Sequence, residues 1–286
     1  VSAAVADPVP FEAQGAAGVL RGEAAGEGPV IVTLHGLTAN RRYVLHGSRH
    51  LQRRGFRVVS YDARGHGESD PAPPDAGYDY GELAADLGAL LDAQAPGRRV
   101  VLACHSMGSH TAVRFALEHG DRLAGLVLGG PAHMGEPPTA EQLAYWDSLA
   151  DGLEQGGVEG FVRAYDVDLN PDWREVILRL ARERLSLHRH PAAIVRALRE
   201  VPRSLPFEGI EQLERIDVPA LVVGSHDEAD PGHPYAVARA WAERLPRARF
   251  AIEDPGASPL TWSGGRLSRE IEAFCGEPEV AARLAA

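Results

Sequence analysis

Lysine is missing from this sequence: all 29 basic residues are arginine. Chemistry that depends on a lysine amine, as a Schiff base or as the lysine of a phosphate-binding P-loop, is therefore excluded. Cysteine is scarce. Cys104 and Cys275 are the only two, too few for the disulfide framework of a small secreted domain or for a structural zinc site, and a cytoplasmic location is the favoured expectation. No stretch reaches the roughly 18 apolar residues of a membrane span, and residues 1–10 lack the basic start and apolar core of a signal peptide. Basic charge is also in deficit. Forty acidic residues against 29 basic ones leave a net charge of −11, so neither nucleic acid nor an anionic membrane is an expected partner.

What is present is an ordinary globular composition, 286 residues with 44% hydrophobic and 24% charged. That suits one large α/β domain with an insertion, or two small domains. Histidine is generous, with 12 residues. Continuous apolar, β-branched runs recur at Val30–Leu34, Arg57–Tyr61, 99–103, 123–128, Ala220–Val223 and 248–252. Such runs suit strands covered on both faces, as in a parallel sheet. Helical patterns lie between them at Tyr80–Gln94, Met107–His119 and 235–245, which points to an α/β, doubly wound fold. Residues 10–23 read as a leading antiparallel pair.

The rhythm changes over 134–206, where only helical patterns remain. This segment reads as a helical insertion, leaving 1–133 and 207–286 as the core. Asn170 before Pro171 predicts an N-cap with proline at N1, and Pro191 opens a second helix.

The chemistry concentrates around Cys104-His105-Ser106-Met107-Gly108, which follows a buried strand and opens a helix. A serine on so sharp a turn projects above the sheet edge, and the helix that follows brings free N–H groups beside it. Cys104 stands where such an elbow prefers glycine. Two further loops follow strands at the same edge, one with His35-Gly36-Leu37 and one running from Asp62 to Ser69 through Arg64, His66 and Gly67. Open α/β sheets bind ligands at that edge.

In the order and spacing of these motifs the chain resembles the α/β-hydrolase fold superfamily, in its branch of cap-containing serine hydrolases. The resemblance runs from about Phe11 to Cys275. It implies Ser106 as nucleophile, the backbone N–H groups of Leu37 and Met107 as the oxyanion hole, and Asp227, after the penultimate strand, as the acid of the triad; Asp230 is the runner-up. It also implies a helical cap at 134–206 roofing the pocket.

One part is missing. After the last strand the superfamily places its general base in a Gly-His pair, and here Gly256 is followed by Ala257. A methyl group neither accepts nor returns a proton. His226, His233 and His133 are the remaining histidines that could approach from the sheet edge. Two explanations stand open: a hydrolase disarmed at one position, favoured because Ser106, Asp227 and the oxyanion elements persist together, or a non-catalytic small-molecule receptor on the same fold.

The resemblance implies a small-molecule substrate, with a carboxylic ester or lactone first and thioester, amide or carbon–carbon bond hydrolysis as alternatives. His35, His133, Trp146, Tyr165 and Trp262 are candidate substrate contacts, although the aromatic spacing suits the cap's own core equally well. Arg64 reads as a structural ion-pair partner. No metal site or organic cofactor is expected, because no His/Asp cluster has ligand spacing along the chain and no glycine-rich phosphate loop occurs. The oligomeric state is left open.

Overall fold

The computed structural model describes residues 6–226, 230, 232–253 and 262–286. Eight strands form one sheet: β1 (Val9–Gln14), β2 (Val19–Ala25), β3 (Val30–Leu34), β4 (Arg57–Tyr61), β5 (Val100–His105), β6 (Leu123–Gly129), β7 (Ala220–Val223) and β8 (Ala248–Ala251). Their spatial order is β1-β2-β4-β3-β5-β6-β7-β8. β2 pairs antiparallel with β1 and β4, and every other pairing is parallel.

The apolar runs are continuous because side chains alternate between two covered faces. Val32, Leu34, Leu102, Leu126 and Val222 face one way, against α2 (Tyr80–Gln94), α3 (Met107–His119) and α7 (Tyr235–Arg244), where Leu87, Val113 and Trp241 are buried. Ile31, Val58, Val101, Val127 and Leu221 face the other way, against Leu51 of α1 (His50–Arg53), Ile271 and Phe274 of α8 (Gly264–Cys275) and Val280 of α9 (Pro278–Ala285). Burying each such side chain contributes about 1.5–3 kcal/mol.

Between β6 and β7 lie α4 (Ala140–Tyr165), α5 (Arg174–Leu185) and α6 (Pro191–Glu200), which share a cluster of their own built on Leu149, Leu153, Phe161, Leu178, Ile194 and Leu198. Thr139 opens α4 with a capping box to Gln142. α4 kinks at Gly157, whose φ of 57° favours glycine. The two halves then meet so closely that a Cβ on Gly160 would lie 1.9 Å from the Gly152 carbonyl oxygen.

Pro191 sits in the first turn of its helix as the sequence suggests. Asn170 does not cap α5. Its side chain accepts from Asp172 N–H at 3.0 Å and its carbonyl from Trp173 and Arg174 N–H, making a separate turn, and the helix begins at Arg174. Among the described residues no helix is long and apolar enough to cross a membrane.

Candidate active site

β5 ends at His105 and α3 starts at Met107, so Ser106 alone turns the chain, with φ 52° and ψ −117°. That is a costly conformation for a residue with a Cβ, on the order of 1–3 kcal/mol, and it persists only where the surroundings hold it. Here Ser106 N–H donates to Gly129 O at 2.9 Å, and Ser106 O accepts from His110 N–H at 3.1 Å. The neighbours have to be small. A Cβ on Gly108 would lie 2.2 Å from Leu34 O, and one on Gly36 would lie 3.2 Å from Ser106 Cβ.

Met107 is the first residue of α3, so its N–H has no acceptor within the helix. The Leu37 N–H, on the loop after β3, donates to no group among the described residues. These are the two donors expected to form the oxyanion hole.

Ser106 Oγ lies 2.7 Å from His233 Nε2, and His233 Nδ1 lies 2.7 Å from Asp230 Oδ2. An ionised carboxylate only accepts, so the proton of the second bond sits on Nδ1; Nε2 then offers its lone pair to the Ser106 hydroxyl. Asp230 and His233 belong to one turn, in which His233 N–H donates to Asp230 O at 3.2 Å. The Asp230 side chain is 42% exposed. Its partial burial would raise its pKa, but the charge and hydrogen bond of His233 outweigh that and bring the carboxyl down to about 2.

The acid facing the histidine is thus the runner-up, Asp230. Asp227 and Ala257 lie outside the described residues. Of the three candidate bases, His233 reaches Ser106. His226 stacks on Tyr235, and His133 accepts from Gly135 N–H at 3.2 Å and meets His110 edge-on.

Residues 29–262, most of the chain, match the family model described as the alpha/beta hydrolase fold. This chain is an α/β hydrolase. It is 30% identical over 261 residues, 84% of this chain and 88% of the other, to a Synechocystis protein provisionally named a non-heme chloroperoxidase. Among solved structures it resembles a thermophilic esterase from Thermogutta terrifontis, with TM-score 0.75 and 22% identity over 94% of this chain and 98% of that one. The enol-lactonase of Burkholderia xenovorans is similarly alike, at TM-score 0.73 and 22% identity over 93% and 100% of the two chains.

Within this α/β hydrolase several expected substrate contacts serve the scaffold instead. His35 is buried, donates from Nδ1 to Gly36 O and accepts at Nε2 from Ala63 N–H, both at 2.9 Å. It has no ring nitrogen left for a ligand. Trp262 donates its indole N–H to Gly224 O at 2.9 Å and packs beneath Arg266. Trp146 packs on the cap cluster and against Tyr145. Tyr165 stacks on Phe161, with the Arg184 guanidinium 5.8 Å from its ring centre. Arg64 is buried in an ion pair with Asp86 at 2.6 Å and Glu82 at 2.7 Å, as expected of a structural arginine. Burial holds the Cys104 thiol well above its ordinary pKa, which leaves it inert beside Ser106.

Two supporting residues escape a reading of the sequence. His188, between α5 and α6, accepts from Gly67 N–H at 2.8 Å and donates to Thr38 O at 2.9 Å, tying the cap to the residue that follows Leu37. Glu253, just after β8, accepts from Ser225 Oγ at 2.9 Å and His226 N–H at 2.6 Å, bracing the start of the loop that carries Asp230 and His233. Neither belongs to a local motif, because each acts across a long gap in the chain. A cavity of about 510 Å³ opens between α4 and α5, beside Val162, Asp166, Arg174 and Leu178, and none of the relay residues lines it.

Proposed function

We propose that this α/β hydrolase is a serine hydrolase of small-molecule carboxylic esters or lactones, with Ser106 as nucleophile, His233 as general base and Asp230 as the carboxylate that orients it. The observation that carries this reading is the continuous relay of two 2.7 Å contacts from Ser106 Oγ through His233 to Asp230. Ser106 Oγ attacks the substrate carbonyl carbon while its proton passes to His233 Nε2. The carbonyl oxygen becomes an oxyanion facing the N–H groups of Leu37 and Met107, beside the N-terminus of α3. Asp230 stabilises the imidazolium, which returns the proton to the leaving alkoxide. Water then enters, gives a proton to His233 and attacks the acyl carbon, and the imidazolium returns that proton to Ser106 Oγ as the acyl–oxygen bond breaks. An ester or lactone is also what the esterase and the enol-lactonase among the structural neighbours are named for.

In this reading Ala257 leaves no gap in the chemistry, because the base sits on the loop after β7. The chain is expected to hydrolyse p-nitrophenyl butyrate, with Ser106→Ala or His233→Ala lowering kcat by about 10⁴- to 10⁶-fold and Ala257→His changing it little. The reverse pattern, an inert chain that gains orders of magnitude from Ala257→His, would identify a base-deleted hydrolase. Ligand binding without turnover in either form would identify a receptor.

A further inference from the structure

His105 takes no part in the relay, yet it stands beside it. It is the residue before Ser106, its ring centre lies 5.0 Å from that of His233, and the two rings meet edge-on at 68°. Neither of its ring nitrogens has a hydrogen-bond partner among the described residues. One ligand atom from each of His105, His233 and Asp230 lies within 4.8 Å of the others. Two imidazoles and one carboxylate form a donor set that suits zinc or another late divalent transition metal, and does not suit magnesium or calcium.

We propose that His105, His233 and Asp230 form a reversible binding site for a divalent transition-metal ion, of which Zn²⁺ is the type, and that the ion shuts the hydrolase off. Bonds from zinc to nitrogen and oxygen run about 2.0–2.2 Å, so the three groups close on the ion by small side-chain rotations. These side chains hang from the end of β5 and from the loop after β7, whose strands lie on either side of β6, and no change of fold is required.

The inhibition does not depend on which nitrogen of His233 is used. Metal on Nε2 consumes the lone pair that Ser106 needs. Metal on Nδ1 displaces the proton held toward Asp230, and the neutral ring then carries its proton on Nε2, where it can no longer accept one. Binding costs the chain its base in either geometry, with no change of oxidation state. Chelation restores it.

This proposal rests on His233 being the base, so its test reads binding and turnover separately. Zn²⁺ affinity of the full chain is measured by competition with a chromophoric chelator, and inhibition on p-nitrophenyl butyrate. One ion is expected to bind per chain, and EDTA is expected to restore full activity. His105→Asn and His105→Gln should each weaken both affinity and inhibition by at least about tenfold, since loss of even an outer-shell partner costs about 10–100-fold, while metal-free turnover stays near that of the parent. Equal zinc affinity in the parent and both variants overturns the site. Zinc bound through His105 without slowing an active chain overturns the switch. A chain that hydrolyses nothing, yet loses zinc in the His105 variants, keeps the site and instead contradicts the hydrolase reading.

Discussion

His233 has to be placed three ways at once: near Ser106, near a carboxylate, and with its proton on the far nitrogen. The Asp230 contact settles the last of these. Asp230→Asn keeps the size of the side chain but lets its amide donate, which favours the wrong tautomer. It is expected to lower kcat by about 10²- to 10⁴-fold with KM little changed, by analogy with the serine-protease example in which such a swap costs about 10⁴; steady-state kinetics on an activated ester will show it. A KM rise with kcat intact would mean that Asp230 acts in binding. Ser106 is legible in the sequence because its signal is local, a serine between a buried strand and a helix. His233 is legible only as one of three histidines, with His226 and His133, because its partner lies 127 residues away and no periodicity records that distance. The nearest clue is Asp-Pro-Gly-His at 230–233, whose Pro-Gly pair signals a turn, and such a turn carries both side chains to one spot.

Whole elements were easier to read than single contacts. Five of the strands and helices, among them β3, β4 and α3, start and end where their apolar runs and punctuation say, since both faces of the sheet are covered and most residues of a strand are apolar. α5 starts later than Asn170-Pro171 suggests because those residues close a turn of their own. What pattern cannot show is how the cap is fastened, and His188 shares that task with Arg196, which donates to Ala72 O and Ala76 O, and Glu200, which accepts from Tyr78 N–H. His188→Ala would strand the buried Gly67 N–H and Thr38 carbonyl, each worth about 1–3 kcal/mol when left unpaired. The urea midpoint should therefore fall, and kcat should fall with it as the Leu37 donor drifts from place. Loss of stability with kcat unmoved would separate the clasp from catalysis.

The supply of histidine acquires a different meaning across the molecule. His35, His66 and His188 form a buried row beneath the loops after β3 and β4, with successive ring centres 5.1 and 5.6 Å apart. Burial, the leading cause in each, holds their pKa values below the ordinary imidazole range, His188 at about 4, and it does the same to His110; Asp62 pulls His35 and His188 upward without reversing this. The unfolded chain binds the protons that the folded chain refuses. Stability is therefore complete above about pH 6.5 and is lost as pH falls toward 4, each such group contributing about 1.4 kcal/mol per pH unit. Urea midpoints should drop steeply between pH 6.5 and 4.5; a flat profile there would contradict the buried neutral row. The relay has a different vulnerability. The proposed base, His233, and its partner Asp230 ride on a single turn, so a shift of that turn carries both together and leaves their mutual bond intact. One coordinate, the gap between that turn and Ser106, then decides whether the molecule is on or off, much as a single latch serves a door whose bolt and handle are cast in one piece.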